Sequence, residues 1–157
     1  MKPSNHLLAL WIGDHFLLEI LRTLSLLSFR FYVAWIFFTS GLTKIKSWTS
    51  TLYLFKEEYQ VPLLSSEWAA YLGTAAELIL PLLLALGLLT RLSALALFIF
   101  NVVAVIAYPY LWTIEGAGGF WQHVVWGSML WVVFLFGPDR ISLDVLLSKP
   151  AWLKKMA

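Results

Sequence analysis

Four stretches of this chain are apolar over lengths that suit a bilayer: Leu24 to Thr43, Trp68 to Leu89, Leu92 to Trp112, and Phe120 to Phe136. Roughly 20 apolar residues in a helix cross about 30 Å of hydrocarbon. A backbone inside hydrocarbon must satisfy its own hydrogen bonds, so each stretch reads as a helix. The fourth is short, and snorkelling side chains at its ends complete it. Leu89-Thr90-Arg91-Leu92 leaves so little chain between the second and third stretches that they must form an antiparallel hairpin. The expected fold is all-α, a four-transmembrane-helix bundle.

Composition excludes the main alternatives. Only 13% of the 157 residues are charged and the mean hydropathy is +0.80, whereas a soluble domain carries about a quarter charged residues. A net charge of +2 gives no footing for nucleic acid. The absence of cysteine removes disulfides, thiolate metal ligands and dithiol chemistry. No cleavable leader is expected, because Asp14, His15, Glu19 and Arg22 interrupt the first apolar residues.

Lysine and arginine placement sets the expected orientation. Lys2, Arg22, Arg30, Arg91, Arg140, Lys149, Lys154 and Lys155 fall on one side; Lys44, Lys46 and Lys56 fall on the other. Both termini are therefore expected in the cytoplasm, in a bacterial or archaeal cytoplasmic (inner) membrane. Trp48, Trp68, Trp112 and Trp121 then belong to the outer aromatic belt, Trp11 and Trp152 to the inner one. Residues 1–28 read as an N-terminal segment whose leucines, mixed with Asp14, Glu19 and Arg22, form an interfacial amphipathic helix on the inner face. Residues 29–145 form the bundle, with a short outer lid helix between Lys44 and Ser66, and 146–157 form a basic cytoplasmic tail.

Glu77 is the polar group that least fits its surroundings. It lies near mid-depth of the second span, where an acidic residue costs about 2.5–3.5 kcal/mol to insert. Burial favours the neutral acid, with Asn101 of the third span as the polar group at matching height. Pro81 cannot donate to the Glu77 carbonyl, which leaves a second acceptor beside the acid. Such a group either handles protons or joins helices. Asn101 reads first as interhelical glue. His123, one turn before Trp126, is the histidine inside a span, and an imidazole titrating near about 6.5 can exchange protons with a bound redox ligand. It can equally be an interfacial histidine among tryptophans. Arg30 and Lys44 flank the first span, and Ser40-Gly41 places Lys44 at a packed bundle mouth, where it snorkels or meets a ligand headgroup. Glu77 and His123 are thus the catalytic candidates; Arg30, Lys44, Asn101 and Trp126 are the ligand-binding ones. No metal, haem, flavin or phosphate-loop motif is present.

The ordered set Arg30…Phe37-Phe38-x-x-Gly41-x-x-Lys44, Glu77-x-x-x-Pro81 with Gly87-Leu88-x-Thr90-Arg91, and Gly137-Pro138-Asp139-Arg140-x-Ser142-Leu143-Asp144 resembles the DoxX family of small four-helix membrane proteins. The resemblance runs over about residues 29–145, and Asp139 stands where the family usually has glycine. It implies that Arg30, Lys44, Glu77 and Arg91 form a polar framework, with Pro81, Gly87, Gly137 and Asp144 structural. It also implies a membrane subunit of a redox or stress-response system, associated with electron transfer from a protein partner to quinone. Lacking cofactor motifs, the chain alone is not expected to be a complete oxidoreductase. A non-catalytic anchor or assembly factor is the alternative, and a small-solute or metal transporter the weaker one; homo-oligomers are compatible with any of these.

The charge asymmetry makes a direct prediction. A topology reporter fused after Ala157 should read as cytoplasmic, and one inserted near Ala117 as external. A C-terminus found outside would sink the assigned orientation.

Overall fold

The computed structural model describes residues 5–148, with side chains from residue 16 onward. Trp11, Trp152 and the basic tail from residue 149 lie outside the described side chains. The chain folds as α1 (Asn5–Lys46), α2 (Trp48–Glu57), α3 (Ser66–Leu86), α4 (Thr90–Ala107), a 3-10 turn (Pro109–Trp112), α5 (Ala117–Phe136) and α6 (Leu143–Ser148). Within the described residues, four helices are long and apolar enough to cross a membrane: Phe16–Lys46, α3, α4 and α5. The all-α, four-span architecture is therefore the one expected, with α2 as the lid helix.

Two boundaries differ. The N-terminal segment is continuous with the first span, because α1 is one helix of 42 residues. At 1.5 Å per residue that is about 63 Å, roughly twice the hydrocarbon thickness. Nothing from Leu7 to Leu24 breaks it; this stretch holds a single glycine, Gly13, and no proline. The third span stops at Ala107, short of Trp112, because Pro109 pushes Tyr108 into an extended conformation (φ −112°, ψ 92°). Trp112 folds back and donates its indole N–H to the Val105 carbonyl at 3.0 Å.

The core lies where α1, α3, α4 and α5 meet, around Val33, Phe37, Leu84, Leu97, Leu130 and Val133. The lid has its own small core of Phe55, Ala69 and Ala70, with Leu52, Tyr59 and Val61 against it. Two bonds pin the lid: Thr51 Oγ1 donates to the Lys44 carbonyl at 2.9 Å, and Gln60 N–H to the Ala107 carbonyl at 2.7 Å. Trp68, Trp112 and Trp121 are exposed at this end of the bundle.

The opposite, turn end is stitched by polar side chains. α3 ends in a Schellman motif: Gly87 takes φ +66°, and Leu88 N–H reaches the Leu83 carbonyl at 2.9 Å. A Cβ on Gly87 would lie 2.5 Å from Ser142 Cβ and 2.6 Å from an Arg30 nitrogen, so only glycine fits. Asp144 reaches across from α6 to cap α4, accepting from Leu89 N–H (2.8 Å), Thr90 N–H (2.7 Å) and Thr90 Oγ1 (2.6 Å). Burial alone would raise the Asp144 carboxyl, but these bonds from Thr90 and Leu89, with Arg30 nearby, hold it below the usual aspartate value. Arg91 is exposed, its guanidinium lying over Gly137.

Arg30 is the centre of this end. It is 2% exposed, donates from Nε to the Leu84 carbonyl at 2.9 Å and from an Nη to the Ala85 carbonyl at 2.8 Å, and pairs with the fully buried Asp139. Arg22 donates to the Phe136 carbonyl at 3.2 Å, and Glu19 meets Arg140 at 3.3 Å. The chain before the first span and the chain after the fourth thus lie at one end of the bundle.

Removing Arg30 strands a buried carboxylate and takes a donor from the Leu84 and Ala85 carbonyls. Arg30→Met should cost about 3–5 kcal/mol of stability, measured as loss of the folded state on heating in detergent. Arg30→Lys should recover little, since an ammonium cannot reproduce the planar fork. Wild-type stability in Arg30→Met would show that this cluster does not hold the fold.

Candidate functional site

The polar chemistry not spent on holding the fold gathers at the lid end. The close approach of α1 to α3 begins it. A Cβ on Gly41 would fall 2.9 Å from Leu78 Cδ2 and 3.1 Å from Glu77 Cβ, so the missing side chain is what lets the two helices meet here. Ser40 and Lys44, one helical turn apart on α1, then face Glu77 on α3. Lys44 Nζ lies 2.6 Å from Glu77 Oε2 and donates to Ser40 Oγ at 3.0 Å; Ser40 Oγ donates to Glu77 Oε1 at 3.2 Å. The side chains of Lys44 and Glu77 are only 14% and 9% exposed.

This corrects the expected partner of Glu77. Asn101 does not reach it, because Glu77 faces α1 while Asn101 faces α5. Depth along the membrane matches the two residues, but rotation about each helix separates them. The cation comes from the end of α1 instead, on a stem long enough to run inward. Glu77 is therefore one half of a buried ion pair. At that distance the ammonium is a charge-assisted donor to Oε2, while Ser40 donates to Oε1, so both carboxylate oxygens are met. The hydroxyl of Thr74, one turn earlier, is buried without a hydrogen-bond partner among the described residues.

The pair forms part of the wall of a cavity of about 450 Å³ beneath the lid. The other walls are apolar, from Phe55, Leu72, Ala76, Phe100, Val103 and Ala107, with Tyr59, Tyr108 and His123 as further polar groups. Tyr59, from the segment after α2, stacks edge-on to Phe55 and Tyr108, with centroids 4.9 and 5.0 Å away. Burial pushes its phenol up to about 12, helped by Tyr108, Glu77 and Glu58, so it stays a neutral hydrogen-bond donor.

His123 is held by Asn101. The Asn101 amide donates Nδ2–H to the His123 carbonyl at 3.0 Å, which leaves Oδ1 to accept from His123 Nδ1 at 2.7 Å. With Nδ1 carrying the proton, the neutral ring presents Nε2 as an acceptor. Trp126 stacks edge-on behind the imidazole at 4.8 Å and against Phe37 at 5.9 Å, so it supports His123 from the core and does not line the cavity.

Of the residues singled out in the sequence, the structure brings Lys44, Glu77 and His123 to one cavity, with Asn101 and Trp126 behind the histidine. Arg30, Gly87, Arg91, Gly137 and Asp144 lie at the far end. Pro81 is buried in α3, one turn beyond Glu77. Arg30, expected as a headgroup contact, is fully engaged inside the protein. Sequence reasoning missed Ser40, Tyr59 and Tyr108. Ser40 carried a usable signal, standing one turn from Lys44 in a small-residue stretch; the tyrosines carried none, since their loops are placed by tertiary packing.

A protein of Haemophilus influenzae, described as an uncharacterized protein, is 30% identical over 142 residues, covering 83% of this chain and 90% of its own length. No solved structure gives a significant match. The DoxX family matches over residues 25–109, which includes Arg30, Lys44, Glu77 and Gly87 but stops before α5 and the Gly137–Asp144 segment. This chain is an integral membrane protein of the DoxX family.

Proposed function

We propose that this DoxX-family protein is the membrane subunit of a redox system, holding a quinone head in the lid-end cavity while a protein partner supplies electrons. The observation that carries the reading is the Lys44–Glu77 pair: a buried ion pair in the wall of an apolar cavity shared with His123. Intramembrane charges are costly and favour function over packing. The residues present fit a flat, apolar ring with oxygen atoms at its edge. The Lys44 ammonium and Tyr59 phenol can donate to such an oxygen, and the unprotonated Nε2 of His123 can accept from a hydroxyl. A bound quinone would supply an acceptor of two electrons and two protons. The chain's own part is to exclude water beneath the lid, orient the head, and keep an acid and a base within the cavity.

One observation favours the anchor reading as second choice. α1 begins at Asn5, about 21 Å of helix before Glu19 meets Arg140, and Phe16, Leu17 and Leu18 are exposed. A helix of that length offers a partner protein a handle.

The test uses a variant that removes both charges together. Either single change strands a buried partner and should cost about 3 kcal/mol, whereas Lys44→Met with Glu77→Gln strands none. In lipid nanodiscs the double variant should melt near the wild type yet bind a short-tailed benzoquinone about tenfold more weakly, read by quenching of tryptophan fluorescence. Wild-type protein that does not bind the benzoquinone would end the quinone reading. A double variant that binds as tightly as wild type would remove the pair from the site.

A further inference from the structure

His123 has a second side. Between α4 and α5 lies an open groove of about 540 Å³, with Phe98, Asn101 and Gly127 along it and His123 at one point of its lining. Gly127 makes room for it: the residue is buried, and a Cβ there would meet Asn101 Nδ2 at 3.2 Å and Phe98 Cε2 at 3.5 Å. Its rim residues Val102, Ile106, Val124 and Trp131 are exposed, yet they belong to two membrane-spanning helices. The groove therefore opens to lipid, not to water.

His123 is common to this groove and to the lid-end cavity. The lid-end cavity and the lipid-facing groove are thus separated at that point by one imidazole, held by one amide. Access from the water side is less direct, since the lid is tied to α4 by the Gln60–Ala107 bond and rests through Phe55 on Gly73. Size points the same way. A cavity of about 450 Å³ suits a small-molecule head. A long hydrocarbon tail on that head must leave the cavity, and leaving into water would expose apolar surface.

We infer that the site takes a long-tailed amphiphile from the membrane, with its tail seated in the α4–α5 groove and its head past the His123–Asn101 pair in the cavity. This rests on the head-binding reading above and adds the route and the tail. The occupant of the groove is the tail of that same ligand, an isoprenoid or similar chain. His123 need not ionise for this; the Asn101 amide sets the position of the ring, and the ring sets the width of the passage.

The experiment compares two probes on the full chain in nanodiscs by native mass spectrometry: a benzoquinone with a long isoprenoid tail, and the same ring without a tail. Val124→Trp and Ser128→Trp each fill the groove from its exposed rim, away from the buried core. Each should lower the preference for the tailed over the tailless probe by about tenfold. Gly127→Leu should do the same from the floor, and the rim variants keep the test valid where that one fails to fold. An unchanged preference in both rim variants, with the wild type binding the tailless ring, overturns the tail inference and leaves the head reading standing. Wild type that binds neither probe overturns both. Loss of copurifying phospholipid from the rim variants, with no change in probe preference, makes the groove an ordinary lipid seat and also overturns the inference.

Discussion

A guanidinium buried in a helical bundle cannot shed its charge and brings five N–H donors that need acceptors. Arg30 meets that demand with two carbonyls at a helix end and one buried carboxylate. The Leu84 and Ala85 carbonyls belong to the last turn of α3, at its negative dipole end, and the Leu84 oxygen also accepts from Gly87 N–H at 3.1 Å. Asp139, from the segment after α5, supplies the counter-charge. One side chain on α1 therefore sets the depth of α1 against α3 and against the end of α5. Gly87 belongs to the same solution, since a side chain there would displace both Arg30 and Ser142. The register of α1 on α3 set at this end also decides, at the other end, that Ser40 and Lys44 stand opposite Glu77.

Much of this was legible in the residues, and the rest fails for identifiable reasons. Hydropathy marks the spans because lipid imposes one rule on every exposed position. Gly87, Asp144 and Pro81 could be read as structural because backbone constraints are local. The partner of Glu77 could not: matching depth selected Asn101, while helix rotation, which one sequence does not reveal, delivered Lys44. Asp139 was read as a mild departure from the family's glycine, although it is the buried counterion of Arg30. Its role depends on a contact made across 109 positions of the chain. Trp126 was placed on the correct face of α5 for His123, but that face is packed against Phe37.

The two ends of the bundle differ in how completely their polar groups are satisfied. At the turn end, Arg30, Asp139 and Asp144 are met by protein. At the lid end, the Lys44–Glu77 pair lines a cavity, and the Thr74 hydroxyl is buried without a hydrogen-bond partner among the described residues. Leaving a buried polar group unmatched costs about 1–3 kcal/mol, so such groups are kept where something beyond the fold uses them. This contrast, more than the presence of charge, separates scaffold from site in a protein whose charges are so few.

The unbroken course of α1 has a mechanical meaning. Arg30 and Lys44 lie 14 positions apart on it, about 21 Å along a single rod without proline or internal turn. Torque or thrust applied to its N-terminal portion passes through the Arg30 clamp before it reaches the ion pair. The clamp fixes the rod's depth against α3 and the chain after α5. A protein bearing on the first turns of α1 would thus be coupled to Glu77 without touching the membrane interior, and α1 would be the shaft between them.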